Sequence, residues 1–550
     1  MKPTCSLLPY ELRLGVTGHR DIAAPEKVAE AVRSVLQRID EVLEPSESTP
    51  LRKTIISPLA RGADRIVADE VLRTADNRLE VITPFPTDEY VKDFDDDDDR
   101  REFEALFARR DHLEQIDTRP SNKKERDEGY LQCGERVVER CEILIAVWNG
   151  QPNKRGGPAD IIEYALKRER LILWIHSERP DDPPRVIRAL SREAGTLDIE
   201  TYDFPRQAVA LSPGYVQQKA YCSDPHLRES ALNRALKKLR EEVAHAAAGS
   251  GIPADELVSA VEPLLREHVR ADLLAIKYQR RHLAVVVAIL YLAAAAVTVG
   301  IAQVLFWLDH RLIALEVLAM IAVFVSFRLN RKGRWHERWL HDRFLAERLR
   351  TAIYTSVIAA PRQDDRSEEP LPFYRGPHHW MAMTLRVLQR RMAAAPHVPL
   401  ATMKHFLRRA WLQEQRDHHL RNAEKKRERA HWLHRIGLFL FALTLLMAAL
   451  HAYDIVPPCS GVAPWITLVA LIAPAFAGAV HATISQLELE RVAERSARMA
   501  LVLDEVAHEV SRARDVDELR RVVRRAADLM ATENHEWWVL LRFQDVRLQA

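Results

Sequence analysis

Three short motifs carry side chains suited to holding an anion or a sugar. The first, GVTGHRDI (15–22), sets Gly15 and Gly18, which allow close approach of backbone and ligand, beside the hydroxyl of Thr17, the imidazole of His19 and the guanidinium of Arg20. Arg20 could hold a phosphate. In SPLARGADRIVADEVL (57–72), Ser57, Arg61 and Gly62 precede a helix whose N-terminal amides can receive an anion. Asp64 either caps that helix or accepts hydrogen bonds from a ribose or base. In QPNKRGGPADIIEYA (151–165), Gly156 and Gly157 open a helix and suit a phosphate or ribose cradle, with Asp160 and then Glu163 further along it.

The elements that must position these motifs are short apolar strands. Leu12–Val16, Thr54–Ser57, Leu79–Thr83, Ile143–Trp148 and Leu171–Ile175 alternate with amphipathic stretches. That alternation predicts an α/β, Rossmann-like domain with a parallel sheet covered by helices. Ligands of such sheets bind beyond the carboxyl ends of the strands, where all three motifs fall.

Bulk composition removes several classes. Lys and Arg (80) nearly cancel Asp and Glu (78) over 550 residues, so the field expected of a nucleic-acid binder is absent. Cysteines at 5, 133, 141, 222 and 459 form no CxxC pair and no ligand-like spacing with the histidines. Neither a structural metal nor a disulfide framework is expected. The N-terminus has no apolar run followed by a cleavage site, so no secretory signal is expected there.

The second half is apolar in blocks. Leu283–Leu308 runs 26 residues without a charge, and a helix of that length exceeds the roughly 30 Å hydrocarbon thickness of a bilayer. After Asp309, His310 and Arg311 the chain turns apolar again over 312–327, and a second hairpin follows at 436–453 and 462–485. All four spans have Lys and Arg at the ends away from the hairpin tips: Lys277, Arg280 and Arg281; Arg328, Arg331, Lys332 and Arg334; KKRERAHWLHR (425–435); and Arg491, Arg495 and Arg498. The tips hold only Arg311, which predicts a multi-pass protein of the inner or plasma membrane with both termini cytoplasmic. Glu316 could line a pore mouth or simply reach the interface. Gly478, among alanines, offers a surface for close helix packing and hence for homo-oligomerisation.

Long helices are expected to enter each hairpin over 257–281 and 402–435. An AER triplet follows each, in HDRFLAERLR (341–350) and LERVAERSARMA (489–500). Two related modules, 256–358 and 402–550, would explain this, and so would chance in Arg- and Glu-rich helices. Residues 206–255 and 359–401 are expected as connections, and the acids Asp95–Asp99 as a solvated loop.

SPLARGAD resembles the SGLARGID signature of DNA-processing protein A, and GGPADIIE resembles the GG-x-GT-x-x-E motif of the LOG phosphoribohydrolases. Both belong to the SLOG superfamily of Rossmann-like nucleotide-binding domains, and the resemblance covers roughly residues 10 to 205. It implies that Gly156, Gly157 and Glu163 flank a nucleotide or NAD-type ligand, with Gly18, Arg20, Arg61 and Gly62 nearby and no other cofactor. Ala159 and Asp160 stand where the hydrolases have Gly-Thr. Such a domain joined to two-span modules resembles the SLOG plus SLATT architecture of bacterial conflict systems, which implies an antiviral effector that senses a nucleotide and perturbs the membrane. The alternative is a membrane-anchored hydrolase with Glu163 as general acid or base.

Overall fold

The computed structural model describes residues 7–542 except 95, 153–155, 194–195, 225–226, 307–310, 312, 359–378, 454 and 457–459. Asp95, Asp309, His310 and residues 359–378 of the segment between the two expected modules therefore lie outside the described residues. The chain divides into two compact units, Met1–His226 with Pro361–Arg390, and Leu227–Ala360 with Arg391–Ala550.

The first unit is built on an eight-stranded sheet of order β4-β3-β2-β1-β5-β6-β7-β8. Its strands are β1 (Tyr10–Gly18), β2 (Leu51–Ser57), β3 (Arg78–Thr83), β4 (His112–Gln115), β5 (Ile143–Trp148), β6 (Leu171–His176), β7 (Arg185–Glu193) and β8 (Thr196–Asp203). β1 to β6 pair parallel, while β7 and β8 add an antiparallel edge. Every residue of β5 is buried, as a strand covered on both faces requires. The five strands expected from apolar runs are all present, β5 with the expected bounds and the other four longer by one to a few residues. Three others were not legible: β4, HLEQ, is a short polar edge, and a bulge between Ile187 and Ala189 breaks the alternation of β7 against β8.

Between the strands and after them come α1 (Pro25–Leu43), α2 (Ala63–Leu72), α3 (Thr87–Tyr90), α4 (Asp97–Phe107), α5 (Lys123–Arg140), α6 (Pro158–Lys167), α7 (Ala208–Leu211) and α8 (Pro213–Cys222). Right-handed crossovers put α1, α2 and α4 on one face and α5 with α6 on the other, matching the helix pairs that pack together. The acidic run is not a solvated loop. Asp96 caps α4 by accepting the Asp99 amide, and Asp99 is buried against Arg65 at 2.5 Å. Carboxylates in a first helical turn are favoured by the helix dipole, which explains the run. Inside the sheet, Arg13 of β1 reaches over β2 to grip Glu80 of β3 with two hydrogen bonds of 2.8 and 2.5 Å.

The unit extends beyond residue 205. Tyr10 Oη donates to Glu142 at 2.7 Å, and Ser212 at the start of α8 also donates to Glu142, at 3.2 Å. Within the stretch expected as a connection, His379–Arg390 forms a helix, α13 in chain order, belonging to this same unit. Trp380 is buried with its ring 5.5 Å from that of Tyr221. Thr384 donates to Gln218 at 3.3 Å, and Arg390 donates to the buried Glu11 at 2.9 Å. An amphipathic helix so far along the chain gave no local sign of the sheet it covers.

The second unit is helical: α9 (Glu229–Ala248), α10 (Ala254–Phe306), α11 (Ile313–Gly333), α12 (Trp335–Thr355), α14 (Leu400–Phe406), α15 (Glu414–Ala452), α16 (Ala463–Gln486), α17 (Leu489–Arg512) and α18 (Val516–Arg542), with a π-helical stretch Leu407–Gln413 before α15. At 1.5 Å per residue the 53 residues of α10 reach about 80 Å, long enough for one helix both to cross a bilayer and to extend well beyond it. Four helical stretches are long and apolar enough to span a membrane. They expose large apolar side chains, among them Leu318 and Phe324 of α11 and Leu438, Phe441 and Leu445 of α15, exposure that water would not tolerate and lipid does.

The two halves of this unit repeat one design. α12 packs on α10 and α17 on α15. Each begins just after a residue in the left-handed region that breaks it from the preceding span, Arg334 at φ 48° and Glu488 at φ 46°. Ala346 and Ala493 of the AER triplets are both buried, yet Ala346 lies twelve residues past its break and Ala493 only five past its own. The difference of about two turns keeps them on one helix face at different heights. Glu316 of α11 faces α10: a β-carbon on Gly300 would sit 3.4 Å from its carboxylate. Gly478 packs against nothing among the described residues; a β-carbon there would meet open space.

Candidate functional site

The sheet reverses its order between β1 and β5, the switch point at which α/β sheets open a crevice beyond their carboxyl ends. The first motif ends β1 there. Gly18 has no room for a side chain, since a β-carbon would lie 2.5 Å from both Ala63 Cβ and Val147 O. The His19 carbonyl accepts the Ala63 amide at 3.0 Å, which joins the first motif to the second and occupies the first amide of α2. His19 Nε2 accepts the Asn149 amide at 3.3 Å, joining the first motif to the end of β5. Gly62 stands at φ +81°, and a β-carbon on it would come within 2.1 Å of the Arg20 carbonyl. Both glycines are required by the contact between the two loops.

Arg20 is directed onto α5. Its guanidinium lies 4.7 Å over the Tyr130 ring centre. Tyr130 donates to Asp93, and burial first, then that bond, pushes its phenol up to about 12. Asp93 also takes Arg126 at 2.7 Å. The third motif reaches the same stretch of α5. Gly156, at φ +79°, has Asp127 O and Leu131 N at 3.0 and 3.4 Å from where a β-carbon would be. The first and third motifs therefore meet around residues 127–131 of α5, and the second is joined to the first through the Ala63–His19 hydrogen bond.

Asp64 is buried near Arg20 and Arg65, with its carboxylate accepting the Ala60 amide at 3.2 Å. Burial outweighs that bond and both arginines, raising its carboxyl to about 7. It stabilises the turn before α2 instead of standing at the N-cap, which is Gly62. Ser57 is also turn chemistry: its hydroxyl accepts the Leu59 amide at 2.9 Å. Arg61 pairs with Asp21 at 3.3 Å. Arg20 and Arg61, with Arg65 and Arg109, line a cleft of about 770 Å³ beside α2 and α4. Its acids are Asp21, Asp69 and Glu102.

Other expected residues are placed differently. Gly15 lies in mid-strand, paired with Ile56 and Leu144, and a β-carbon would be 2.8 Å from Cys141 Sγ. It permits close packing of α5 on β1. Thr17 is buried and pairs with Ala146. Gly157 is the N-cap of α6, and Asp160 accepts the Gly156 amide at 2.9 Å, closing the glycine turn. Glu163 is partly exposed and accepts from Lys167 at 2.8 Å. Tyr130, Asp93, Arg126 and Arg109 escaped sequence reasoning because they come from crossover helices that carry no motif.

The fold and this site define a membrane-type protein whose α/β domain has an arginine-lined cleft beside α2 and α4, next to the end of β1. No protein-family model matches the chain, and no curated protein matches it.

Proposed function

We propose that the protein is a membrane-bound sensor in which a nucleotide or NAD-derived ligand, held at Arg20, controls the two helical hairpins so that they open a pore or perturb the bilayer. The observation that carries this reading is the meeting of the first and third motifs on one stretch of α5, with Arg20 stacked on Tyr130 and the second motif hydrogen-bonded to the first. An arginine on an aromatic face, beside a buried carboxyl, suits the phosphate and polar edges of a nucleotide. The chain is read with both termini in the cytoplasm, as a homo-oligomer, and as an effector of the bacterial defence type that its motifs resemble. Control requires the ligand to bind one arrangement of the protein better than the other.

A second reading, a phosphoribohydrolase with Glu163 as general acid or base, is favoured by the left-handed Gly156 at the head of α6. Against it stand Asp160, whose carboxylate holds the Gly156 amide, and Glu163, which is tied to Lys167.

Reconstitution of the full chain into dye-loaded liposomes tests both. Leakage driven by nucleoside monophosphates or NAD, and lost in Arg20→Ala, supports the sensor. Measured binding with no ligand-dependent leakage removes the gating role, and released free base establishes the hydrolase.

A further inference from the structure

The second unit encloses a chamber of about 380 Å³ between helices of both halves, within the size range of small-molecule sites. His282 of α10 lines it, one residue before the charge-free run begins at Leu283, so the chamber lies at the depth where the spans start. Both helix breaks reach it. His336 stands just past Arg334, with its ring 4.5 Å from that of His282, and Glu488 is itself the second break.

The lining is cationic beyond what its acids balance. Glu347 is taken by Arg343 at 2.5 Å, with Arg350 at 3.8 Å, and Glu488 by Arg491 at 3.2 Å. Lys426 and Arg429 of α15 also line the chamber, and neither makes an ion pair or hydrogen bond among the described residues. Burial and then Arg429 lower the Lys426 ammonium. His419 Nδ1 is buried without a hydrogen-bond partner among the described residues. Burial, then His418, Arg343 and Arg350 push this imidazole down to about 4, with Glu347 opposing. Cations gathered in a partly enclosed space repel one another unless an anion joins them.

We propose that this chamber binds a phosphate-type oxyanion, held by Lys426 and Arg429, whose occupancy ties the two helix breaks and hence the two hairpins together. The phosphate belongs either to an anionic lipid headgroup, which lies at this depth, or to a free phosphate compound entering from the aqueous side.

The test uses the full chain, delipidated in detergent, titrated with inorganic phosphate and separately with phosphatidylglycerol in mixed micelles, with phosphatidylcholine as control. Saturable binding of either probe is expected, about tenfold or more weaker in the double variant K426Q/R429Q and retained in K426R/R429K. Binding of phosphate identifies a free compound, and binding of phosphatidylglycerol alone identifies the lipid. Equal binding by wild type and K426Q/R429Q, or no saturable binding of either probe, overturns the proposal. Melting curves separate loss of charge from loss of fold. Should the double variant not fold, the exposed Arg429 is tested alone as Arg429→Gln, which must weaken binding.

Discussion

The guanidinium of Arg20 lies 4.7 Å over the ring centre of Tyr130. Arg20 follows β1, and Tyr130 sits on the helix leading into β5. They meet because β1 and β5 pair where the sheet reverses its order. Tyr130→Leu should weaken nucleotide binding by a few-fold to about thirtyfold, the range of a partly desolvated cation–π contact. Tyr130→Phe should retain most of it, and Arg20→Ala should lose at least about tenfold. Calorimetry on the full chain with nucleoside monophosphates and NAD measures all three; unchanged affinity in Arg20→Ala would remove Arg20 from the site.

Two glycines with nearly the same φ should respond differently to alanine. Gly62 at φ +81° has the Arg20 carbonyl 2.1 Å from a β-carbon, whereas Gly251 at φ +79° has open space. Gly251→Ala should cost about 1 kcal/mol, the conformational penalty alone. Gly62→Ala adds a clash with backbone and should cost about 3 kcal/mol or more while abolishing ligand binding. Thermal melts of both variants decide this.

Stability should depend on pH through two carboxyls of opposite sign. Burial would raise the Glu80 carboxyl, but Arg13 overrides it and holds it at about 2. A depressed carboxyl stabilises above its unfolded value, so this contribution is full above about 4.5 and lost as pH falls toward 2. Asp64, raised to about 7, has the reverse sign: the folded state is penalised progressively as pH rises from about 4 through 7. Glu80→Gln should lower stability by about 3–5 kcal/mol at neutral pH, because it leaves Arg13 buried without its counter-charge. Asp64→Asn should gain stability relative to wild type as pH rises. Denaturation followed from pH 3 to 8 checks both slopes.

The helix α13 should be needed by the α/β domain. Trp380→Ala should destabilise that unit by about 3–5 kcal/mol, the usual cost of removing a fully buried aromatic ring. Limited proteolysis of the full chain should then cut near residues 379–390, which wild type protects. A fragment ending at 205 should be less stable than one that retains 206–226, since it exposes Tyr10 and Glu142. Equal stability of the two fragments would show that α8 contributes nothing.

The strands of the inner sheet, the four spans and the three motifs were legible in the sequence because each is a local property: a run of apolar residues, a charge-free stretch, a glycine beside an arginine. β4 was hidden by its polar edge composition and β7 by its bulge. That Gly15 lies in mid-strand under Cys141 was not legible, because glycines that permit packing look like any other glycine in sequence.

The sequence by itself determined that this is an α/β domain joined to membrane hairpins, since periodicity and hydropathy act over one element at a time. Only the tertiary structure decided that the first and third motifs share one stretch of α5 with the second joined to the first, that α13 returns to the first unit, and that both helix breaks border one cationic chamber. These depend on crossovers and on packing between residues far apart in the chain, and no local pattern encodes which distant surfaces meet.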